Sequence, residues 1–261
     1  MRDAPRPVSP GWRNLARVIE GLSGADWTVL ALGALLVGLA KTSIGGVASI
    51  SVALFAAVLP ARESSGALLP LLITGDLMAV GAYRRHVDWA ALLRLFPSVA
   101  AGVLIGVGFV AWVDDTVMRR TIGGLLLAVV AVHLWQRRRP ARVGSGRTRA
   151  LVFGLLAGFT TMVANAGGAV MSLYLLAAGY PKLRFLGTTA WFFFIVNLFK
   201  VPFSASLGLI DGGSLGLNAA LIPAVIVGGL LGRIGIRHVD QARFERLVLL
   251  FTVVSSLNLL R

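Results

Sequence analysis

The sequence AKTSIGGVAS, at residues 40–49, interrupts an apolar run that begins at Trp27 and ends at Leu59. It places a lysine, two hydroxyl side chains and a pair of glycines where the flanking sequence is rich in leucine, valine and alanine. A second interruption, TMVANAGGAV at residues 161–170, lies early in the other half of the chain. Apolar segments that are broken at corresponding places in two halves predict a membrane protein with a central polar site.

The composition of the whole chain agrees with that prediction. Hydrophobic residues make up 57% and charged residues 14% of the 261 residues, and the mean hydropathy is +0.83. A soluble domain carries about 25% charged residues, whereas a helix of about 20 apolar residues crosses the roughly 30 Å hydrocarbon core of a bilayer. We therefore predict an all-α polytopic membrane protein.

Several classes of function are excluded or disfavoured by residue usage. Cysteine is absent, which excludes disulfides and thiolate metal sites. His86, His133 and His238 have no metal-ligand spacing, so we predict neither a metal nor a cofactor. The net charge of +14 comes largely from arginines between apolar segments, as in the cytoplasmic loops of membrane proteins, and does not indicate nucleic-acid binding.

About eight apolar segments follow one another along the chain. They lie at about 27–59, 65–83, 90–112, 117–135, 150–178, 185–208, 215–236 and 243–260, and the first and fifth are the broken ones. A basic linker at residues 136–149 separates a first membrane repeat, residues 27–135, from a second, residues 150–261. The polar segment at residues 1–26 has the spacing of a short interfacial helix.

The two halves carry the same landmarks at equal spacing. After Pro97 and after Pro223, matching residues follow at the same distances, namely Gly102 and Gly228, Gly106 and Gly232, Asp114 and Asp240, and Arg120 and Arg246. Asp76 and Asn197 likewise each follow a proline by 16 residues. We infer a tandem duplication of a four-segment unit.

The relative orientation of the halves has two solutions. If every segment crosses the membrane once, the halves have the same orientation; if each broken segment dips in and returns, each half crosses three times and the halves are inverted. The loops have nearly the same excess of Lys and Arg on one side in both arrangements. We favour inverted repeats because they are the commoner transporter design.

Lys41, Thr42, Ser43, Gly45 and Gly46, in the first interruption, are candidates for anion binding. An ammonium, two hydroxyls and glycine backbone N–H groups all donate to an oxyanion, and a half-helix that begins there adds positive dipole charge. The alternative is that the lysine only snorkels towards the membrane surface.

Asp76 lies in the middle of the next apolar segment, where an isolated carboxylate is costly. We expect it to couple transport to protons or to pair with Lys41. The alternative is a purely structural hydrogen bond to a neighbouring helix.

Asn165, Gly167 and Gly168 are the counterparts in the second interruption, and Asn197 is the counterpart of the acid. Small residues also serve ordinary helix packing in membranes, which is the alternative for the glycines. Lys200, in NLFKVPF, is about 16 Å or more along a helix from the nearest charged residue in the sequence, too far to snorkel completely. We predict that these five residues bind the anion.

Four stretches resemble the TauE/SafE family of membrane anion transporters: residues 40–49, residues 75–89 (GDLMAVGAYRRHVDW), residues 158–188 and residues 192–203 (FFFIVNLFKVPF). The resemblance implies about eight membrane segments in two homologous halves. It also implies transport of a small sulfur-containing anion such as sulfite, a sulfonate or thiosulfate.

The sequence thus predicts a secondary transporter, by resemblance an exporter, in a bacterial inner membrane. The anion would lie at the two broken segments and move by alternating access, with protons as a coupling ion and a homodimer as an assembly to test. The alternatives are an anion channel and a transporter of another small organic anion. No Walker-type phosphate loop and no nucleophile–base pair at membrane depth is present, so we do not expect an enzyme.

Overall fold

A computed structural model describes residues 21–43, 48–114, 147–210 and 212–240, together with isolated positions among 116–124 and 243–250. Its principal helices are α1 (Gly24–Thr42), α2 (Ala48–Val58), α3 (Ala61–Tyr83), α4 (Trp89–Trp112), α5 (Arg147–Ala164), α6 (Gly167–Ala177), α7 (Lys182–Ser206) and α8 (Gly212–Gly235). No strand occurs among the described residues, as predicted for an all-α chain.

Five of the described helices are long and apolar enough to cross a membrane, which supports a multi-pass membrane protein. They are Gly24–Thr42, Glu63–His86, Trp89–Trp112, Lys182–Ser206 and Gly212–His238. The predicted segments at 117–135 and 243–260, most of the linker at 136–149, and residues 1–20 lie outside the described residues, apart from the isolated positions. The predicted total of eight segments therefore stays a prediction.

Helix starts follow ordinary capping signals. Ser23 and Asp26 form a capping box at the start of α1, with Ser23 N donating to Asp26 Oδ2 over 2.9 Å. α3 and α7 each begin directly after a proline, Pro60 and Pro181, which occupy corresponding positions in the two halves. α3 and α7 therefore start on the same signal.

Both broken segments turn back on themselves. Gly33 of α1 lies against the ring of Phe55 of α2, and the ring centroids of Phe153 in α5 and Tyr174 in α6 are 5.8 Å apart. In a continuous helix, residues that far apart in sequence would be separated by about 30 Å. Each pair of half-helices is therefore a hairpin, with its break at residues 43–47 (the first break) or 165–166 (the second break).

The first helix of each half packs against the last long helix that the structure describes in the other half. In the α1–α8 pair, a Cβ atom at Gly228 would overlap the carbonyl oxygen of Leu35, and one at Gly232 would meet that of Leu39. Both contact points advance by four residues together, so the two helices run parallel. Glycine allows this close backbone approach, as is common between membrane helices.

The α4–α5 pair repeats this arrangement. Gly154 lies against Leu95 and Gly158 against Val99, so these two helices also run parallel. Gly102, the counterpart of Gly228, would overlap the carbonyl oxygen of Leu155 if it carried a Cβ atom. The glycines that mark the sequence repeat thus make equivalent contacts.

Each hairpin builds its own hydrophobic core with these neighbours. One core joins α1, α2, α3 and α8 through buried residues that include Leu30, Phe55, Leu68, Leu71 and Val225. The other joins α4, α5, α6 and α7 through buried residues that include Leu95, Val99, Val163, Val170 and Phe185.

α3 belongs to the first core and α7 to the second, and these two helices contact each other and run antiparallel. Asp76 contacts Asn197 near the middle, while Gly187, near the start of α7, packs on the backbone of Tyr83 at the end of α3. At the opposite end, Gly66 of α3 packs on the backbone of Leu209, which follows α7. The middle parts of α3 and α7 therefore lie close to the first and second breaks.

Candidate functional site

A small cavity of about 30 Å³ lies where the two breaks meet the central helices. Its polar lining residues are Lys41, Ser43, Asp76, Thr161, Asn165, Thr189 and Asn197, and its apolar lining residues include Leu72, Phe185, Leu186 and Phe193. Residues from both halves contribute. The volume suffices for about two water molecules.

Lys41 and Asp76 form a buried ion pair in the cavity wall. Lys41 Nζ is 2.7 Å from Asp76 Oδ1, and the two side chains are 10% and 0% exposed. The ammonium also lies 4.4 Å from the ring centroid of Phe193, a cation–π contact. Lys41 is in the last turn of α1, where the helix dipole also favours a cation. The expected pairing of these two residues is confirmed, and this lysine does not snorkel.

Asp76 is held on its other side by Asn197. The amide of Asn197 donates from Nδ2 to Asp76 Oδ2 over 2.7 Å, and both side chains are fully buried. Oδ1 has no hydrogen bond of good geometry among the described residues besides its ion pair. The two carboxylate oxygens therefore differ, since Oδ2 is bound by a neutral amide and Oδ1 only by a cation.

Lys200 is 2% exposed and uses all three ammonium donors within the protein. Nζ lies 2.7 Å from the carbonyl oxygen of Thr161, 2.6 Å from Asn165 Oδ1 and 3.4 Å from Asn197 Oδ1. Lys200 does not line the cavity. The geometry makes it a positioning residue, because it fixes the orientation of two asparagine amides that do line it.

Asn165 forms the turn of the second break. Its φ of 51° is in the left-handed region, which asparagine tolerates better than most residues. Its Nδ2 donates to the backbone oxygen of Ser65 over 2.9 Å, which joins the second hairpin to α3 of the other half.

The half-helices before the breaks end in similar ways. The hydroxyl of Tyr83 donates to the carbonyl oxygen of Thr42 over 2.7 Å, and Lys200 donates to that of Thr161. The last carbonyls of a helix have few backbone donors, and in each half a side chain from the following long helix donates to one of them. In the second half this donor is additional to Asn165 N, which also donates to the carbonyl oxygen of Thr161, over 3.1 Å.

The half-helices after the breaks point their N-termini at the cavity. Ala48 is the first residue of α2 and Gly168 the second of α6, and both line the cavity. The first N–H groups of a helix have no intrahelical acceptor and carry about half a positive charge together. Two converging N-termini beside an ammonium favour an anion.

The remaining predicted residues divide between the cavity and its supports. Ser43 lines the cavity, whereas Thr42 donates its hydroxyl to Gly229 of α8 over 2.8 Å and is not a lining residue. Gly167 packs against Thr161 at the turn. The predicted residues Gly45 and Gly46 lie outside the described residues.

Thr189 is a site residue that the sequence reasoning missed. Its hydroxyl is buried, lines the cavity and has no hydrogen-bond partner among the described residues. The only signal in the sequence is its position directly after the stretch at residues 158–188 that resembles the transporter family. A free hydroxyl donor opposite the breaks suits an oxyanion.

Comparison with known proteins agrees with this geometry. Searches of curated proteins and of solved structures returned no match. The family model described as "Sulfite exporter TauE/SafE" matches residues 30–259, nearly the whole chain. This is a family of membrane transporters rather than enzymes. The chain therefore belongs to the TauE/SafE sulfite exporter family.

Proposed function

We propose that the chain is a secondary transporter, and by family an exporter, of a small sulfur-containing anion such as sulfite, a sulfonate or thiosulfate. The observation that carries the proposal is the convergence of Lys41 and the N-termini of α2 and α6 on one cavity. Membership of an anion exporter family supports the same substrate class. We propose a bacterial inner membrane as its location, as expected from the sequence.

The charges around the cavity also favour an anion. Lys41 and Lys200 each bring one ammonium, whereas Asp76 is the one carboxylate among the described residues that contacts the network. Part of the cavity wall, which includes Phe185 and Leu186, is apolar, and an apolar surrounding strengthens electrostatic contacts with a bound ion. The proposed anion contacts are Lys41, Ser43, Thr189, Asn165 and the backbones of α2 and α6 at their N-termini. Lys200 orients the side-chain amides of Asn165 and Asn197.

The mechanism that we propose is alternating access, and the arrangement of the halves supports it. If the halves are inverted repeats, corresponding helices run antiparallel, and α3 and α7 do so about Asp76 and Asn197. The cavity lies between two separate cores that can rock against each other about this axis. Each core contains one hairpin, so each movement would open one break to one side of the membrane.

Binding requires some rearrangement of the described site. The described cavity holds about two waters, and a sulfur oxyanion has three or four heavy atoms around sulfur. The contact most easily exchanged is the one between Lys41 and Asp76, because an incoming anion presents the same chemistry to the ammonium as the carboxylate does.

Anion binding to the purified protein tests the proposal. Sulfite, methanesulfonate and thiosulfate should each be compared with chloride at equal ionic strength in a thermal-shift titration. A binding anion at 100 times its Kd stabilises the protein by about 2.7 kcal/mol.

We expect Lys41→Gln to weaken anion binding at least about tenfold, or roughly 1.4 kcal/mol. Arg94→Gln is the matched control, because it removes a cation from an exposed position in α4 outside the cavity. Equal anion affinity in Lys41→Gln and the wild type would refute the proposed site.

A further inference from the structure

The carboxylate of Asp76 contacts the ammonium group that a bound anion would contact. Its Oδ1 is 2.7 Å from Lys41 Nζ, and Lys41 is the one ammonium among the described residues that lines the cavity. A carboxylate and a bound anion on the same ammonium would be two negative charges in contact inside a site with an apolar wall. The Asp76 carboxylate and a bound anion therefore compete for the Lys41 ammonium.

We propose that Asp76 takes up one proton when the anion binds and releases it when the anion leaves, so that each monovalent anion is carried with one proton in the same direction. Export by this route runs down the anion's own concentration gradient, because a proton gradient that is acidic outside drives the pair inward. This inference rests on the proposed function. The proton comes from water on the side from which the anion enters, binds a carboxylate oxygen of Asp76, and returns to water on the other side.

The two oxygens of Asp76 indicate where the proton goes. Oδ2 accepts a hydrogen bond from Asn197 Nδ2, and Lys200 keeps that amide oriented by donating to its oxygen. Oδ1 has only the Lys41 ammonium. Protonation of Oδ1 removes the charge that holds Lys41 and leaves the Asn197 hydrogen bond intact, so Lys41 becomes available to the anion.

The other groups around Asp76 do not replace it in this role. α1 brings Lys41 and α7 brings Lys200, α2 has no charged residue, and α8 has only Arg233, in its last turn. At the position that corresponds to Asp76, the second half has the amide of Asn197, which does not titrate. The site therefore has a single carboxylate for a single proton.

Charge conservation makes the exchange favourable for a membrane carrier. The empty site holds the Lys41 ammonium and the Asp76 carboxylate; the loaded site holds the same ammonium, a monovalent anion and a neutral Asp76. The buried charge is unchanged, and this is true whatever the charge of Lys200. A carrier that returns empty then buries no additional charge in either direction, which matters because unpaired charge in the membrane is costly.

Methanesulfonate is the sharpest probe, because it stays a monovalent anion at all accessible pH and its own titration cannot produce a pH effect. Wild-type protein in proteoliposomes should accumulate it when the outside is more acidic, up to about tenfold per pH unit. A potassium–valinomycin membrane potential should not drive accumulation. A pH dye inside the vesicles should report acidification as methanesulfonate enters.

Asp76→Asn imitates the protonated acid and separates coupling from binding. We expect this variant to bind and exchange methanesulfonate without accumulating it in a pH gradient. Asp114→Asn is the matched control, since Asp114 is exposed and caps Val117 N, and asparagine caps equally well. The control should behave like the wild type.

The outcomes separate the coupling from the function on which it rests. Accumulation driven by membrane potential, or equal pH-driven accumulation in wild type and Asp76→Asn, would overturn the coupling but leave an anion transporter. The dye measurement on wild-type protein decides the same point if Asp76→Asn does not fold. Absence of binding and exchange of methanesulfonate, sulfite and thiosulfate by the wild type would overturn the proposed function itself.

Discussion

Asn197 donates its side-chain amide to the carboxylate of Asp76 over 2.7 Å, and the two residues occupy corresponding positions in the two halves of the chain. If the halves are inverted repeats, as predicted from the sequence, the axis that relates them passes close to this hydrogen bond. The cavity lies beside it. One half supplies an acid to the site and the other an amide.

Thr189→Val should weaken anion binding about tenfold with little change in stability, because it removes a hydroxyl that has no partner in the described part of the chain and keeps the shape of the side chain. The adjacent Thr188→Val is the control. Its hydroxyl oxygen accepts from Asp88 N over 3.0 Å, so this change should lower the melting temperature and leave affinity unchanged. The opposite pattern in a paired titration and melt would remove Thr189 from the site.

Asn165→Gly and Asn165→Ala separate the backbone of the second break from its side chain. Both variants lose the amide that accepts from Lys200, but glycine adopts the positive φ of 51° freely. Alanine there should be less stable than glycine by roughly 1 kcal/mol. Chemical unfolding of both proteins measures this difference, and equal stabilities would contradict the left-handed turn.

Gly102→Ala should destabilise the packing of α4 on α5 by about 1–3 kcal/mol, because the added Cβ meets the backbone of Leu155. Gly108→Ala in the same helix has open space around the added methyl group and should be neutral or slightly stabilising. Thermal melts of the two variants compare the same chemical change in two environments. Similar melting temperatures would show that α4 and α5 are not in close contact.

Asp88 lies between α3 and α4 and contacts residues of the other half. We predict that this contact is sensitive to acid. Burial alone would raise its pKa, but hydrogen bonds from Tyr180 and Ala91 N and the nearby Arg184 outweigh burial and hold the pKa below the usual 3.8. A depressed pKa means that the Asp88 contacts stabilise fully above pH 3.8 and are lost as the pH falls below it.

Asp88→Asn should remove this acid-dependent loss of stability at a cost of about 1 kcal/mol near neutral pH. The asparagine still caps Ala91 N but cannot form the 2.7 Å ion pair with Arg184. Melting temperatures recorded from pH 3 to pH 7 test this, and identical pH profiles for variant and wild type would contradict it.

Much of the site could be predicted from the sequence because charged residues are rare in apolar segments. The two breaks fall within residues 40–49 and 161–170 as predicted, and the expected pair of Lys41 and Asp76 forms. A buried charge needs a partner, and few candidates exist at that depth. Composition and spacing were sufficient for these features.

The rest depends on packing that residue types do not encode. Lys200 has the backbone oxygen of Thr161 as a partner, and any residue type supplies a backbone oxygen. Thr42 was predicted to contact the anion, but its hydroxyl faces the backbone of Gly229 because α1 packs on α8. Thr189 escaped notice since threonine is common in membrane helices. That both broken segments turn back on themselves was favoured from the sequence only because inverted repeats are the commoner transporter design, and it is seen directly in the contacts of Gly33 and Phe153.

Counterflow in proteoliposomes tests the central claim most directly, namely that this cavity carries an anion by alternating access. Vesicles loaded with unlabelled methanesulfonate or sulfite and diluted into a trace of the labelled anion should take up label transiently, with saturable kinetics. Lys41→Gln should abolish the overshoot, and Arg94→Gln should preserve it. Absence of an overshoot in the wild type, together with single-channel currents carried by the same anion, would contradict a carrier and establish a channel.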